Sequence, residues 1–270
     1  MSAAPAGTPQ DRPVAPLISH IATLSPAERV AQLAADSAAL RAARPGKLDV
    51  SYGGGEHCRW DLFPAISAAS PCLVLLPGGQ WRSSGRKECG ALARGLLAHG
   101  WSAALPGHSL MPEASLTRIA RELHRALDWL GAQGPRHGIA GPVLVCGWES
   151  GALLAALLLG HSRVKAGLGL SGLYDLAPLE EPLELSPLEV EALSPLRLPV
   201  VRKPFALAFG EAEPPERQRQ ARAFHMVRQN DGGVGPLLPL PALEEVGLLE
   251  TLEAPDGLLC HTARALIEDA

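Results

Sequence analysis

The five residues Gly147-Trp148-Glu149-Ser150-Gly151 follow the apolar run Val143-Leu144-Val145-Cys146 and lead into a second apolar run over 152–159. Glycines two positions to either side of a central residue suit a sharp strand-to-helix turn that holds one side chain at the head of a sheet. With no Cβ atoms, the flanking residues let neighbouring backbone close in. A serine at the centre of such a turn attacks acyl carbons; here the residue is Glu149. A carboxylate in that place has three kinds of chemistry open to it: attack on carbon to form an ester, transfer of a proton, or capture of a cation. It also stands at the start of a helix, whose positive dipole end favours an anion.

Eight short runs have the two-residue alternation or the continuous apolar character of strands: 48–52, 59–63, 72–76, 102–105, 143–146, 166–170, 205–209 and 237–240. Helical periods lie among them, clearest at Leu116, Ile119, Ala120, Leu123, Leu127 and Leu130, whose spacing puts every apolar side chain on one face. An earlier helix is predicted after Ser25-Pro26-Ala27-Glu28, which supplies an N-cap, a proline at the first helical position and a glutamate at the third. Val30, Leu33, Ala34 and Leu40 would form its apolar side, and it should end before Pro45. Strands apolar on both sides and separated by amphipathic helices predict an α/β fold, with a mostly parallel sheet of eight strands and helices on both faces. The first two strands, joined by Gly53-Gly54-Gly55, are predicted to be an antiparallel pair.

Landmarks elsewhere fall in an order that resembles the kynurenine formamidase-like branch of the α/β-hydrolases, close to the small carboxylesterases. The residues Leu48-Asp49-Val50-Ser51-Tyr52-Gly53 and Trp60-Asp61-Leu62-Phe63 resemble that branch's opening hairpin. Pro77-Gly78-Gly79-Gln80-Trp81 is similar to its H-G-G-x-W oxyanion motif, with proline in place of the histidine, and Gly107-His108-Ser109-Leu110-Met111-Pro112-Glu113 keeps the second half of N-Y-R-L-x-P-E. Ser171-Gly172-Leu173-Tyr174-Asp175-Leu176 matches S-G-x-Y-D-L without change. The segment from Gly210 to Gln220 follows the stretch that carries the acidic triad member, which would be Glu213. Leu240-Pro241-Ala242-Leu243-Glu244-Glu245-Val246 falls where the family reads L-P-G-x-N-H-F, placing Glu245 at the catalytic histidine.

The resemblance covers roughly residues 47–260 and implies the α/β-hydrolase fold. It also implies a triad of Glu149, Glu245 and Glu213, in which only the last keeps its chemistry, since serine hydrolysis needs a hydroxyl and an imidazole that takes and returns its proton. Ser150, one step into the helix, points away from the nucleophile's place. Of the histidines, His108 is the one expected near the site, either facing the pocket or as an ordinary loop residue. The oxyanion donors it implies are the backbone N–H groups of Gly78 or Gly79 and of Ser150, which survive any side-chain change. Glu149 is expected to fold its own carboxylate onto them. Trp81 and Trp148 either floor a pocket for an aromatic or acyl group or belong to the core. Asp175 and Ser171 are expected to stabilise the loop after their strand, and Glu113 to anchor another by hydrogen bonds.

Three readings follow: a hydrolase homologue without serine-hydrolase activity that binds a small molecule, an aromatic one among them, or a partner; an enzyme using its glutamates for proton transfer, as a lyase, isomerase or cyclase does; and a conventional esterase or formamidase. No cofactor and no metal are expected, because no histidine joins the glutamates. The segment 180–199 is either a lid or a contact surface, so a homodimer is among the expected partners.

The chain has 270 residues, 47% of them hydrophobic, enough for one core. We expect a single domain over 17–270 behind a disordered Pro/Ala-rich tail over 1–16. The net charge of -4 gives no basic field for steering toward phosphates, no Lys/Arg stripe interleaved with aromatics appears, and nucleic acid is not an expected partner. Five cysteines without a C-x-x-C pair read as reduced core thiols, hence a cytoplasmic protein, and no apolar run is long enough for a membrane span.

Overall fold

A computed structural model of the chain describes residues 25–83 and 85–268. The expected tail over 1–16 lies outside them. The described chain forms eight strands: β1 (Lys47–Ser51), β2 (Arg59–Phe63), β3 (Cys72–Leu76), β4 (Ser102–Pro106), β5 (Val143–Trp148), β6 (Val164–Leu170), β7 (Phe205–Gly210) and β8 (Leu237–Leu240). They make one sheet in the order β1-β2-β4-β3-β5-β6-β7-β8. From β4 to β8 neighbours run parallel, while β2 is antiparallel to both β1 and β4. The α-helices are α1 (Pro26–Ala43), α2 (Arg86–Cys89), α3 (Arg94–Ala98), α4 (Leu116–Gln133), α5 (Ser150–Leu158), α6 (Pro187–Leu193), α7 (Pro215–Asn230), α8 (Glu245–Glu253) and α9 (Leu258–Glu268).

Strand alternation explains why both faces are covered. On β3, Cys72, Val74 and Leu76 point into one hydrophobic core, and Leu73 and Leu75 into the other. On β7, Phe205, Leu207 and Phe209 join the first core, Ala206 and Ala208 the second. The first core is completed by α4, α5 and α7 through Leu123, Leu153 and Phe224. Opposite, α1, α3, α8 and α9 contribute Leu33, Leu96, Leu248 and Leu259. Burying each of these side chains is worth about 1.5–3 kcal/mol.

The six apolar residues expected on one face of α4 are all buried. In α1 the capping box forms, with Ser25 N donating to Glu28 Oε2 at 2.8 Å and Ser25 Oγ accepting from Glu28 N at 3.4 Å. Its packing differs from the expected stripe: Val30 is exposed, and Ser37 is buried because its hydroxyl accepts from Ala91 N at 3.0 Å. All five cysteines are buried free thiols. None of the described helices is long and apolar enough to cross a membrane.

Candidate functional site

Five parallel strands deliver residues to one end of the sheet. Gly79 and Gln80 follow β3, Glu149 follows β5, Ser171 follows β6, Glu213 follows β7 and Glu245 follows β8. Ligand chemistry in open parallel sheets gathers at this carboxyl end.

At the β5–α5 turn, Glu149 has φ +52° and ψ -115°, a backbone conformation that costs a non-glycine residue about 1–3 kcal/mol. Its glycines are sterically required. A Cβ on Gly147 would lie 2.0 Å from the Gly151 carbonyl oxygen, and one on Gly151 would lie 2.4 Å from that of Leu76. Across the sheet the backbone after β3 turns through positive φ at Gly79 (100°), Gln80 (54°) and Trp81 (58°). That turn aims two successive N–H groups at the elbow. Gly79 N and Gln80 N donate to Glu149 Oε2 at 2.8 and 3.0 Å. Burial pushes the Glu149 carboxyl up, but the backbone N–H groups of Ser150, Gln80 and Gly79 outweigh it and hold the group below the ordinary glutamate value. Gly78, expected as a possible donor, contributes space: a Cβ there would stand 3.1 Å from Glu149 Cβ and 3.3 Å from Oε2. Gln80, which the motif left unassigned, is a donor.

Glu245 opens α8 and faces the same turn. Trp148 Nε1 donates to Glu245 Oε1 at 2.9 Å, and Arg217 Nη1 sits 2.8 Å from Glu245 Oε2. The other guanidinium nitrogen of Arg217 lies 3.6 Å from Glu149 Oε1, and Nη1 also reaches the Ser171 carbonyl oxygen at 3.3 Å. Arg217 thus bridges both glutamates. The Glu245 carboxyl is nevertheless pushed up: burial raises it, Arg217 opposes, and the nearby charges of Glu149 and Glu213 raise it further. Glu213 is buried, with Oε1 accepting from Ser171 Oγ at 2.7 Å and Gly210 N at 2.6 Å. Glu213 Oε2 is buried without a hydrogen-bond partner among the described residues.

Arg217 carries no sequence signal, since it lies in the first turn of a strongly polar helix whose spacing does not mark which arginine turns inward. Of the remaining candidates, Trp148 joins the cluster through its indole N–H and Ser150 through its backbone, while among the described residues no hydrogen bond or ion pair ties His108, Trp81, Asp175 or Glu113 to the three glutamates. His108 is buried, its Nδ1 2.7 Å from the Ser109 carbonyl oxygen; among the described residues no hydrogen bond or ion pair joins it to the three glutamates. Trp81 is buried in the first core and Trp148 in the second, the latter with its indole N–H turned to Glu245. Ser150 Oγ is buried and unpartnered among the described residues. Asp175 holds its loop by accepting from Ala177 N at 3.2 Å and pairing with Arg197 at 3.1 Å. Glu113 is exposed, and the anchor of its loop is the buried Glu122, which accepts from Ser109 N at 2.8 Å and Ser109 Oγ at 3.0 Å.

A cleft of about 960 Å³ opens between the loop of Ser109, Met111 and Glu113 and the segment of Glu181 and Glu184. None of the three glutamates lines it. Among the described residues no group of His, Cys, Asp and Glu side chains has the arrangement of a metal site.

No family model and no curated protein sequence matches the chain. Solved structures do. A candidate thioesterase from Silicibacter sp. aligns with a TM-score of 0.78 at 22% identity, over 92% of this chain and 97% of that one. Esterase B from Lactobacillus rhamnosis gives 0.71 at 19%, over 88% and 93%. An esterase from Pyrobaculum calidifontis gives 0.70 at 15%, over 95% and 99%. At such identities the likeness is one of fold. Together with the sheet order and the elbow after β5, it establishes that this chain has the α/β-hydrolase fold.

Proposed function

We propose that the chain is an α/β-hydrolase homologue of the kynurenine formamidase-like branch that does not work through a serine acyl-enzyme and instead binds a small molecule or a partner. The observation that carries this reading is the Glu149 carboxylate seated on the N–H groups of Gly79 and Gln80. Those are the donors a substrate oxyanion would need, and a side chain already occupies them at charge-assisted hydrogen-bond distance. Arg217 neutralises part of the charge that replaces the hydroxyl and imidazole. The unpaired, buried cysteines suit a reducing compartment such as the cytoplasm.

The purified protein should remain unlabelled by a fluorophosphonate and leave p-nitrophenyl acetate and N-formylkynurenine intact. Thermal-shift screening of aryl acids and amines should find a stabiliser, since a ligand at 100 times its Kd adds about 2.7 kcal/mol. Covalent labelling of any serine at the sheet end would end this reading.

A second reading, proton transfer by a lyase, isomerase or cyclase, is favoured by the raised Glu245 carboxyl beside a pinned, ionised Glu149. It requires that a bound compound be turned over and that Glu245→Gln abolish turnover while leaving binding intact.

A further inference from the structure

The chain is acidic overall, but its positive charge is unevenly spread. Along the solvent side of α4, Arg118, Arg121, His124 and Arg125 follow one another at helical spacing, and with Ser115 and Thr117 they line a groove of about 750 Å³. Three arginines at spacings of three and four repel one another by a few tenths of a kcal/mol per pair. Arg118 also stands in the first turn of α4, where the helix dipole disfavours a cation. The carboxylates on and beside α4 form no ion pair with Arg121 or Arg125 among the described residues: Asp128, three residues after Arg125, lies 3.1 Å from His161 Nε2. Glu122 pairs with Arg118 Nε at 3.0 Å and is otherwise held by Ser109, while Glu189 accepts from Thr117 N and Oγ1 at 3.1 and 3.2 Å. Among the described residues neither Arg121 nor Arg125 has an ion-pair partner. Ser115 Oγ accepts from Arg118 N at 3.2 Å, which leaves its own hydrogen for a ligand.

We infer that this groove is a binding site for a small organic phosphate, a phosphate or diphosphate ester, held by Arg118, Arg121 and Arg125 with Ser115 donating. Guanidinium forks match phosphate oxygens in pairs, and a bound anion converts the repulsion along α4 into attraction. Arg118 also lines the larger cleft bounded by Met111 and Glu181, so the organic part of an ester anchored on α4 has a place to lie. The inference rests on the α4 face alone and stands or falls independently of how the glutamate cluster is read.

The test is calorimetric titration of the full chain with pyrophosphate at about 50 mM salt, where exposed charges are weakly screened. The wild type and a control lacking an arginine elsewhere, Arg136→Gln, should bind with one-to-one stoichiometry. The double variant Arg121→Gln/Arg125→Gln should bind about tenfold more weakly or worse, the scale of losing two solvent-exposed charge contacts. Its far-UV circular dichroism should match the wild type and its Tm should not fall, because both side chains are exposed. Absence of binding at millimolar pyrophosphate, unchanged affinity in the double variant, or an equal loss in Arg136→Gln would each overturn the inference. So would binding of a poly-glutamate peptide by a protein that ignores pyrophosphate.

Discussion

The indole N–H of Trp148 donates to Glu245 Oε1 over 2.9 Å, joining the residue before the elbow to the first residue of α8. The carboxylate so held is partly buried and shares its other oxygen with Arg217. Trp148→Phe keeps most of the apolar surface and removes the donor, leaving that carboxylate short of a partner. We expect a loss of about 1–3 kcal/mol in urea unfolding. A cycle with Glu245→Ala, which removes the acceptor, should give a coupling near 1 kcal/mol, and a coupling of zero would mean that the bond contributes nothing.

Arg217 is the cation on which the cluster depends. Its side chain is 20% exposed, that of Glu149 only 5%. Arg217→Ala strands two carboxylates in a poorly hydrated place, and we expect it to cost roughly 2–4 kcal/mol. Pairing it with Glu245→Gln should recover part of the loss, because one of the stranded charges is then gone. Strict additivity of the two substitutions in equilibrium unfolding would contradict the bridging role.

Most of the fold was legible in the sequence because the central strands are buried on both sides and read as apolar runs, whereas the exposed edge strand β1 was marked by its alternation and the glycine turn after it. The helix α4 follows from its 3.6-residue period. Failures came where polar atoms decide. Ser37 took the buried place expected for α1's apolar stripe through one hydroxyl, and Glu122 anchors the loop in place of Glu113 although it reads as a surface charge on α4. In the cluster, the resemblance marked positions 149, 213 and 245, but backbone donors have no side-chain signature, so Gln80 was invisible. Arg217 was hidden among the arginines and glutamines of α7. The basic groove on α4 was masked for a similar reason: net charge averages over a surface on which charge is clustered.

The two glutamates should act on stability in opposite directions. Both have an ordinary value of 4.5, with Glu149 shifted below it and Glu245 above it in the folded protein. A depressed carboxyl stabilises the fold above its unfolded value, and that contribution disappears as pH falls through the folded value. A raised one favours the fold while protonated, and its contribution is lost as pH rises from the unfolded value through the folded one. Calorimetric Tm values between about pH 3 and 7 should therefore show a weaker acid limb in Glu149→Gln and a weaker decline above about pH 4.5 in Glu245→Gln. Identical profiles for the two variants would rule out the opposed shifts.

Placing a serine and a histidine at positions 149 and 245 tests whether these two side chains alone decide reactivity toward a serine-directed probe. Glu149→Ser vacates the N–H groups of Gly79 and Gln80 and puts a hydroxyl on the strained turn, but no imidazole is there to take its proton. That variant should stay unlabelled by a fluorophosphonate. Adding Glu245→His places a base at the start of α8, and Glu213 Oε2, buried and unpartnered among the described residues, is free to orient it. Arg217 remains as an obstacle, because a cation beside the ring lowers its basicity. Intact-protein mass spectrometry should therefore detect slow labelling of Glu149→Ser/Glu245→His and faster labelling once Arg217→Gln is added. If the triple variant folds and still resists the probe, more than two side chains separate this cluster from a working triad.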